Sequence, residues 1–358
     1  MRRLAILTVK DEGAFVLEWL AFHRSIGFSD VLAFSNDCSD GTDAMLDRLQ
    51  AMGLLTHVAQ AGPFPKGPQW AALNAAESHP LLASADWVMP IDIDEFVNIH
   101  LGDGSLDALL AAHPEATAFA LTWRLFGNGG VIGHEDAPVT AQFTRAAPPG
   151  MAWPWRASMI KTLFRNDGSY ARLGVHRPRQ PDPARLDRQI WIGGSGAALP
   201  ARHARAGLYT PPAPDQYREA QINHYALGAM ESYVVKCARG RANREASAFD
   251  MSYWVERNFE TEEDRSIAPA AARAAALLAD LRADRVLGPL HEAAVRWRRA
   301  RFAALMRDEP FRALFGRLLL TAPTRPMTPE RLAVFLRHAR RAAADRAAAD
   351  RAAVRGED

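Results

Sequence analysis

The chain has 358 residues, 48% of them hydrophobic and 9% aromatic, enough to bury a sizeable core in one large domain or two modest ones. Lys and Arg number 43 against 41 Asp and Glu, and a net charge of +2 argues against nucleic acid or another polyanion as partner. Cys38 and Cys237 are too few for a disulfide framework or a cysteine-based zinc site. The opening MRRLAILTVKDEGAF has the arginines and short apolar run of a signal peptide. Lys10, Asp11 and Glu12 cut that run, however, and no small-residue cleavage site follows. With no apolar run near the ~18 residues of a spanning helix, a reduced, cytoplasmic setting is expected.

LAILTV (Leu4–Val9) reads as a strand covered on both faces, and Gly13–Gly27 as a helix with apolar residues at helical spacing. VLAFS (Val31–Ser35) is a second strand, followed by the turn-rich loop NDCSDGTD with Asp40–Gly41 at its corner. DAMLDRLQAM predicts a helix, LLTHVA a third strand, Gln69–Leu82 a third helix and WVMPID a fourth strand. Alternating strands and helices predict a parallel sheet with helices on both faces, in which ligands bind beyond the carboxyl ends of the strands. KDE, NDCSDGTD and DIDE all fall there.

From about Pro114 the pattern changes. ATAFALTWRLFG, TAQFTRA, SMIKTLFR and YARLGVH read as short strands of a mixed sheet, with helices resuming near Gly228. From roughly Glu262 the chain is helical and rich in Ala and Arg. Its last ~20 residues, from Arg340, are near low complexity and predict a solvated, fraying or disordered tail, the alternative being an arm for a partner or a membrane surface.

Asp92 and Asp94 are the sharpest chemical signal. Two apart on a strand, they point to one side, and like charges so close repel unless a cation lies between them. Mg²⁺ or Mn²⁺ suits such a pair, taking the rest of its ligands from phosphate and water. On this reading, removing one charge would leave the fold intact or steadier. Glu95 points the other way, to a supporting contact. The bland alternative is a strand end whose acids cap the next turn. An apolar strand ending in DxD also resembles the haloacid-dehalogenase phosphatases, but GDGSLD (Gly102–Asp107) follows too soon to be their later acidic motif. A nucleotidyltransferase would want a Gly-rich, basic loop after the first strand, and none is present. A non-catalytic nucleotide- or sugar-binding protein would have no need of both aspartates.

The ordered pieces KDE with EWLAFHRSIGF, SNDCSDGT, PIDIDEFV, LTWRLFGNGG, KTLFR, GVH and INHYALGAMESYVVKCARG span roughly the first 240 residues. Together they resemble the GT-A-fold glycosyltransferases of the family-two-like group, especially the branch related to family 92. The resemblance implies an α/β fold, a Rossmann-like mixed sheet flanked by helices, over residues 1–260. Residues 1–113 would be its nucleotide-binding half, 114–260 its acceptor half, and 261–358 a helical C-terminal extension. It implies transfer of a sugar from a nucleoside diphosphate, UDP above all, to an acceptor hydroxyl of a glycan or similar molecule, with inversion.

Within it, Asp94, Asp92 and His224 would hold Mn²⁺ or Mg²⁺, with His176 competing for the histidine's place and Asp92 reaching the ribose or the metal through water. Thr8, Lys10, Glu12, Asn36, Asp37 and Asp40 would meet the base and ribose, with Gln69 and Asn74 as weaker candidates. Lys236 and Arg239 would neutralise the diphosphate. Glu135 or Asp136 would take the acceptor's proton, and Trp123 and Phe126 would offer flat faces for sugar stacking.

Overall fold

The computed structural model describes residues 1–239 and 250–355. Gly240, the last residue of the INHYALG piece, and residues 356–358 of the tail lie outside the described residues. Contacts divide the chain into two compact units, Met1–Thr324 and Arg325–Asp358.

The first unit is built on a nine-stranded mixed sheet. β1 (Arg3–Val9), β2 (Asp30–Asn36), β3 (Thr56–Gln60) and β4 (Trp87–Pro90) run parallel in the order β3-β2-β1-β4. The sheet continues through the antiparallel Ile160–Arg165 strand to β6 (Ala118–Leu125), then Ala220–His224, and ends at β5 (Glu95–Ile99). Trp191–Gly193 adds a ninth, parallel to β6.

β1 is apolar throughout because both its faces are covered. Ala5, Leu7 and Val9 enter a core with Trp19 and Phe22 of α1 (Gly13–Ser25), while Leu4 and Ile6 enter one with Leu73 of α3 (Pro68–Glu77). Burial on both sides, with alternate residues going to alternate cores, is the signature of a central parallel strand.

Several elements differ from the sequence reading. The third helix is two pieces, α3 and α4 (Pro80–Ser84), since Pro80 can neither donate to the preceding turn nor follow a helical residue without a clash. In TAQFTRA only Arg145–Ala146 is a strand, and Val139–Gln142 is a helical turn. Glu18 of α1 takes the Val139 and Thr140 amides and the Thr140 hydroxyl at 2.6–3.0 Å, which satisfies the orphan donors of that turn. In YARLGVH only Tyr170–Arg172 is extended in a ladder. EFVNI becomes β5, a strand in its own right.

Beyond residue 260, the helices Ala268–Ala283 and Leu287–Leu305 belong to the first unit. Leu281, Leu287 and Ala294 are buried in the same core as α1. Gly13, at the head of α1, meets this layer so closely that a Cβ there would stand 2.8 Å from the Cβ of Ala294. The second unit holds one helix, Pro329–Arg355. Among the described residues no helix is long and apolar enough to cross a membrane.

Candidate active site

A cleft of about 450 Å³ opens at the carboxyl ends of β1, β2 and β4. Thr8 and Lys10 reach it from β1, Asn36 and Asp37 from β2, Gln69 from α3, and Asp92 and Asp94 from the turn after β4. Asp11 and Asp37, in the two loops framing it, both hold left-handed backbone (φ 50° and 48°), the kind of local strain that functional loops retain.

The turn after β4 is pinned from below by Glu95, which is fully buried. Its Oε1 accepts from Trp123 Nε1 at 2.8 Å, and its Oε2 accepts from the Asp92 amide at 2.9 Å and faces Lys161 Nζ at 3.0 Å. Lys161, equally buried, donates to Asp92 Oδ2 at 2.9 Å, while Gln69 Nε2 donates to Asp92 Oδ1 at 2.6 Å. Asp94 Oδ2 accepts from Lys236 Nζ at 2.7 Å. His224 comes beside it by strand register: the Ala220–His224 strand pairs antiparallel with β5 so that His224 stands opposite Glu95, and its Nε2 lies 3.8 Å from Asp94 Oδ2.

Residues 8–192, more than half of the chain, match glycosyltransferase family 92. The chain belongs to that family. It is accordingly a glycosyltransferase, and the phosphatase and binding-protein alternatives fall away. Among solved structures it is similar to S. aureus TarS residues 1–349 in complex with UDP, at 13% identity over 86% of this chain and 92% of that one, with a TM-score of 0.31. A longer S. aureus TarS chain is matched at 14% identity over 66% of this chain and a TM-score of 0.30, and only 40% of its length is spanned. HddC from Yersinia pseudotuberculosis is matched at 9% identity over 49% and 84% of the two chains, with a TM-score of 0.27. These likenesses are loose, and the assignment rests on the family match. No curated protein matches the sequence.

In this family 92 enzyme the aspartates do not face each other as bare charges. Asp92 is paired with Lys161 and Asp94 with Lys236. Burial opposes the Asp94 charge, but Lys236 and then His224 hold its carboxyl below the ordinary range. Burial likewise opposes the Lys161 and Lys236 charges, yet the acids beside them leave both pKa values raised. Burial pushes Glu95 up, Lys161 pulls it back, and Asp92 and Asp94 add to the push. The imidazole of His224 is pushed down to about 3 by burial, against the pull of Asp94. It is therefore neutral, the form that ligates a metal.

Among the described residues no group of three or more His, Cys, Asp or Glu is arranged to hold a metal ion by itself. What the cleft offers is a pair, the Asp94 carboxylate and the neutral His224 ring. That fits a small hard cation which takes one or two protein ligands and fills the rest from substrate phosphates. Both Asp92 oxygens are already engaged by Lys161 and Gln69. His176 also lines the cleft, pushed down to about 4 by burial, with Nδ1 donating to the Ile160 carbonyl at 3.1 Å.

The remaining sequence candidates divide clearly. Glu12 and Lys236 line the cleft, as does Arg239, which binds Glu12 Oε1 and the Lys10 carbonyl. Asp40 does not. It is buried and spent on the head of α1 and of α2 (Thr42–Ala51), accepting from the Gly13 amide at 2.8 Å and the Thr42 amide at 2.9 Å. Trp123 lines the cleft and Phe126 does not, and neither ring offers an open face for sugar stacking. Trp123 is 6% exposed, with its face under His224 at 4.1 Å and its Nε1 committed to Glu95. Phe126 is buried against Tyr225.

Asp136 is drawn away to Arg282 at 2.8 Å and His291 at 2.9 Å. Glu135 instead lines a smaller cavity that shares Glu12, Asp94 and Lys236 with the cleft. Sequence reasoning missed Lys161, Arg156 and Arg257, the last two being cations on the cleft wall. For Lys161 there was a signal: a lone lysine inside the apolar SMIKTLF.

Proposed function

We propose that this enzyme transfers a sugar from a nucleoside diphosphate, UDP first among candidates, to a hydroxyl of a glycan or similar acceptor, with inversion and with Mn²⁺ or Mg²⁺ in the donor site. The observation that carries the proposal is the single cleft where the β1, β2 and β4 loops meet His224 and the cations Lys236, Arg239 and Arg257. Two free cysteines suit a reducing, cytoplasmic setting for it.

The backbone of Thr8–Lys10 and the side chains of Asn36 and Asp37 take the base and ribose, whose paired hydroxyls suit carboxylate and amide acceptors better than phosphate does. Asp92, held by Lys161 and Gln69, is oriented toward the ribose. Lys236, Arg239 and Arg257 stand where negative charge grows on the departing diphosphate, and fixed cations in a partly dry cleft stabilise such charge far more than water does. When bound, a divalent ion on Asp94 and His224 would supply further charge neutralisation at the leaving group. Glu135, beside the acceptor side of Asp94, takes the proton of the attacking hydroxyl.

Incubating the protein with a panel of nucleotide sugars and Mn²⁺, and following release of free nucleoside diphosphate, tests the reading. Release from UDP-sugars is expected. Release from none of the panel, by a folded protein, would rule the reading out.

A further inference from the structure

The Leu287–Leu305 helix lies outside the segment matched to family 92, yet its polar side chains reach the β1–α1 loop at the cleft and the 134–136 loop. Arg298, 4% exposed, donates from Nη2 to Glu12 Oε2 at 3.0 Å and to the Asp11 carbonyl at 2.8 Å, and its guanidinium covers the Phe15 ring at 4.6 Å. Glu12 is held on its other oxygen by Arg239, which reaches the cleft.

Two turns earlier on the same face, His291 Nε2 donates to Asp136 at 2.9 Å, and Arg299, the residue after Arg298, donates to the His134 carbonyl at 3.3 Å. The helix is thus a strut between the β1–α1 loop on the donor side and the 134–136 loop that carries Glu135.

We propose that Arg298 is a positioning residue for the donor, acting through Glu12 on Arg239; this rests on the donor reading above. One carboxylate shared by two guanidiniums fixes Arg239 at the cleft wall. Without Arg298, Glu12 would neutralise Arg239 outright, and the phosphates would meet a weaker and less ordered cation. The helical extension, on this account, completes the phosphate side of the site.

The test is UDP titration by calorimetry in Mn²⁺, with donor KM and kcat, on Arg298→Met and on Leu287→Ala. The latter is a packing control, since Leu287 is fully buried on the same helix. Arg298→Met should weaken UDP and raise donor KM by about tenfold or more, with kcat changed far less. Leu287→Ala should lower Tm and leave UDP affinity unchanged. If Arg298→Met does not fold, Arg298→Lys is measured in its place, alone and with Glu12→Gln. The two changes should not add, because both break the same contact.

UDP affinity within about twofold of the parent in a folded Arg298 variant would overturn the proposal. So would additive effects with Glu12→Gln, or an equal loss of affinity in Leu287→Ala. A parent protein that binds no UDP at all would instead count against the donor reading itself.

Discussion

Asp92 and Asp94 stood out in the sequence as paired acids at the end of an apolar strand. They lie in the turn after β4 and not on the strand itself, however, so strand alternation is not what places them. Their partners did not stand out. Lys161 lies 69 positions from Asp92 and Lys236 lies 142 from Asp94, and only the sheet brings them together. Those lysines reverse one expectation. Neutralising Asp94 does not relieve repulsion between crowded acids; it takes the counter-charge from the ammonium of Lys236, which is mostly buried. Asp94→Asn should therefore lower transfer by roughly 10²-fold or more and lower unfolding free energy by about 1–3 kcal/mol. Denaturant titration beside an activity assay checks both, and a variant as active as its parent would remove Asp94 from the site. Asp40 was misread for the converse reason, since an acid in a polar loop serves a helix start as readily as a ribose.

At the scale of elements, the first four strands and the helices between them could be read from apolar runs and Gly or Pro punctuation. The second half could not, because its short strands pair with partners far away in sequence. β5 illustrates this: EFVNI is too short to announce itself beside three acids, and it becomes a strand by pairing with Ala220–His224. The Val139–Gln142 turn depends likewise on Glu18, which is more than a hundred positions away and whose pKa burial raises despite three hydrogen bonds. Glu18→Ala should leave two buried amides without partners and cost about 2 kcal/mol. Urea unfolding measures it, and a change under about 0.5 kcal/mol would show that the turn needs no such cap.

For the whole molecule, His23, His134, His176 and His224 set the response to acid. Burial pushes His23 and His224 down to about 3, and His134 and His176 to about 4, all below the unfolded value near 6.5. Below that value the unfolded chain takes up protons that the fold refuses, so stability is present above about pH 6.5 and drains away as pH falls toward 4. Glu18 and Glu95, whose pKa values are raised, work in the opposite sense but are fewer. Tm should fall between about pH 7 and pH 5. A level or rising Tm would mean that these rings are not held neutral.

The central claim is that the cleft holds a nucleoside diphosphate beside the Asp94–His224 pair. Calorimetric titration of UDP in Mn²⁺ and again in excess EDTA tests it most directly. Lys236, Arg239 and Arg257 should give measurable binding without metal, and Mn²⁺ should tighten it about tenfold or more, as expected when the ion joins protein and phosphate ligands. No UDP binding under either condition, or equal affinity in both, would contradict the account.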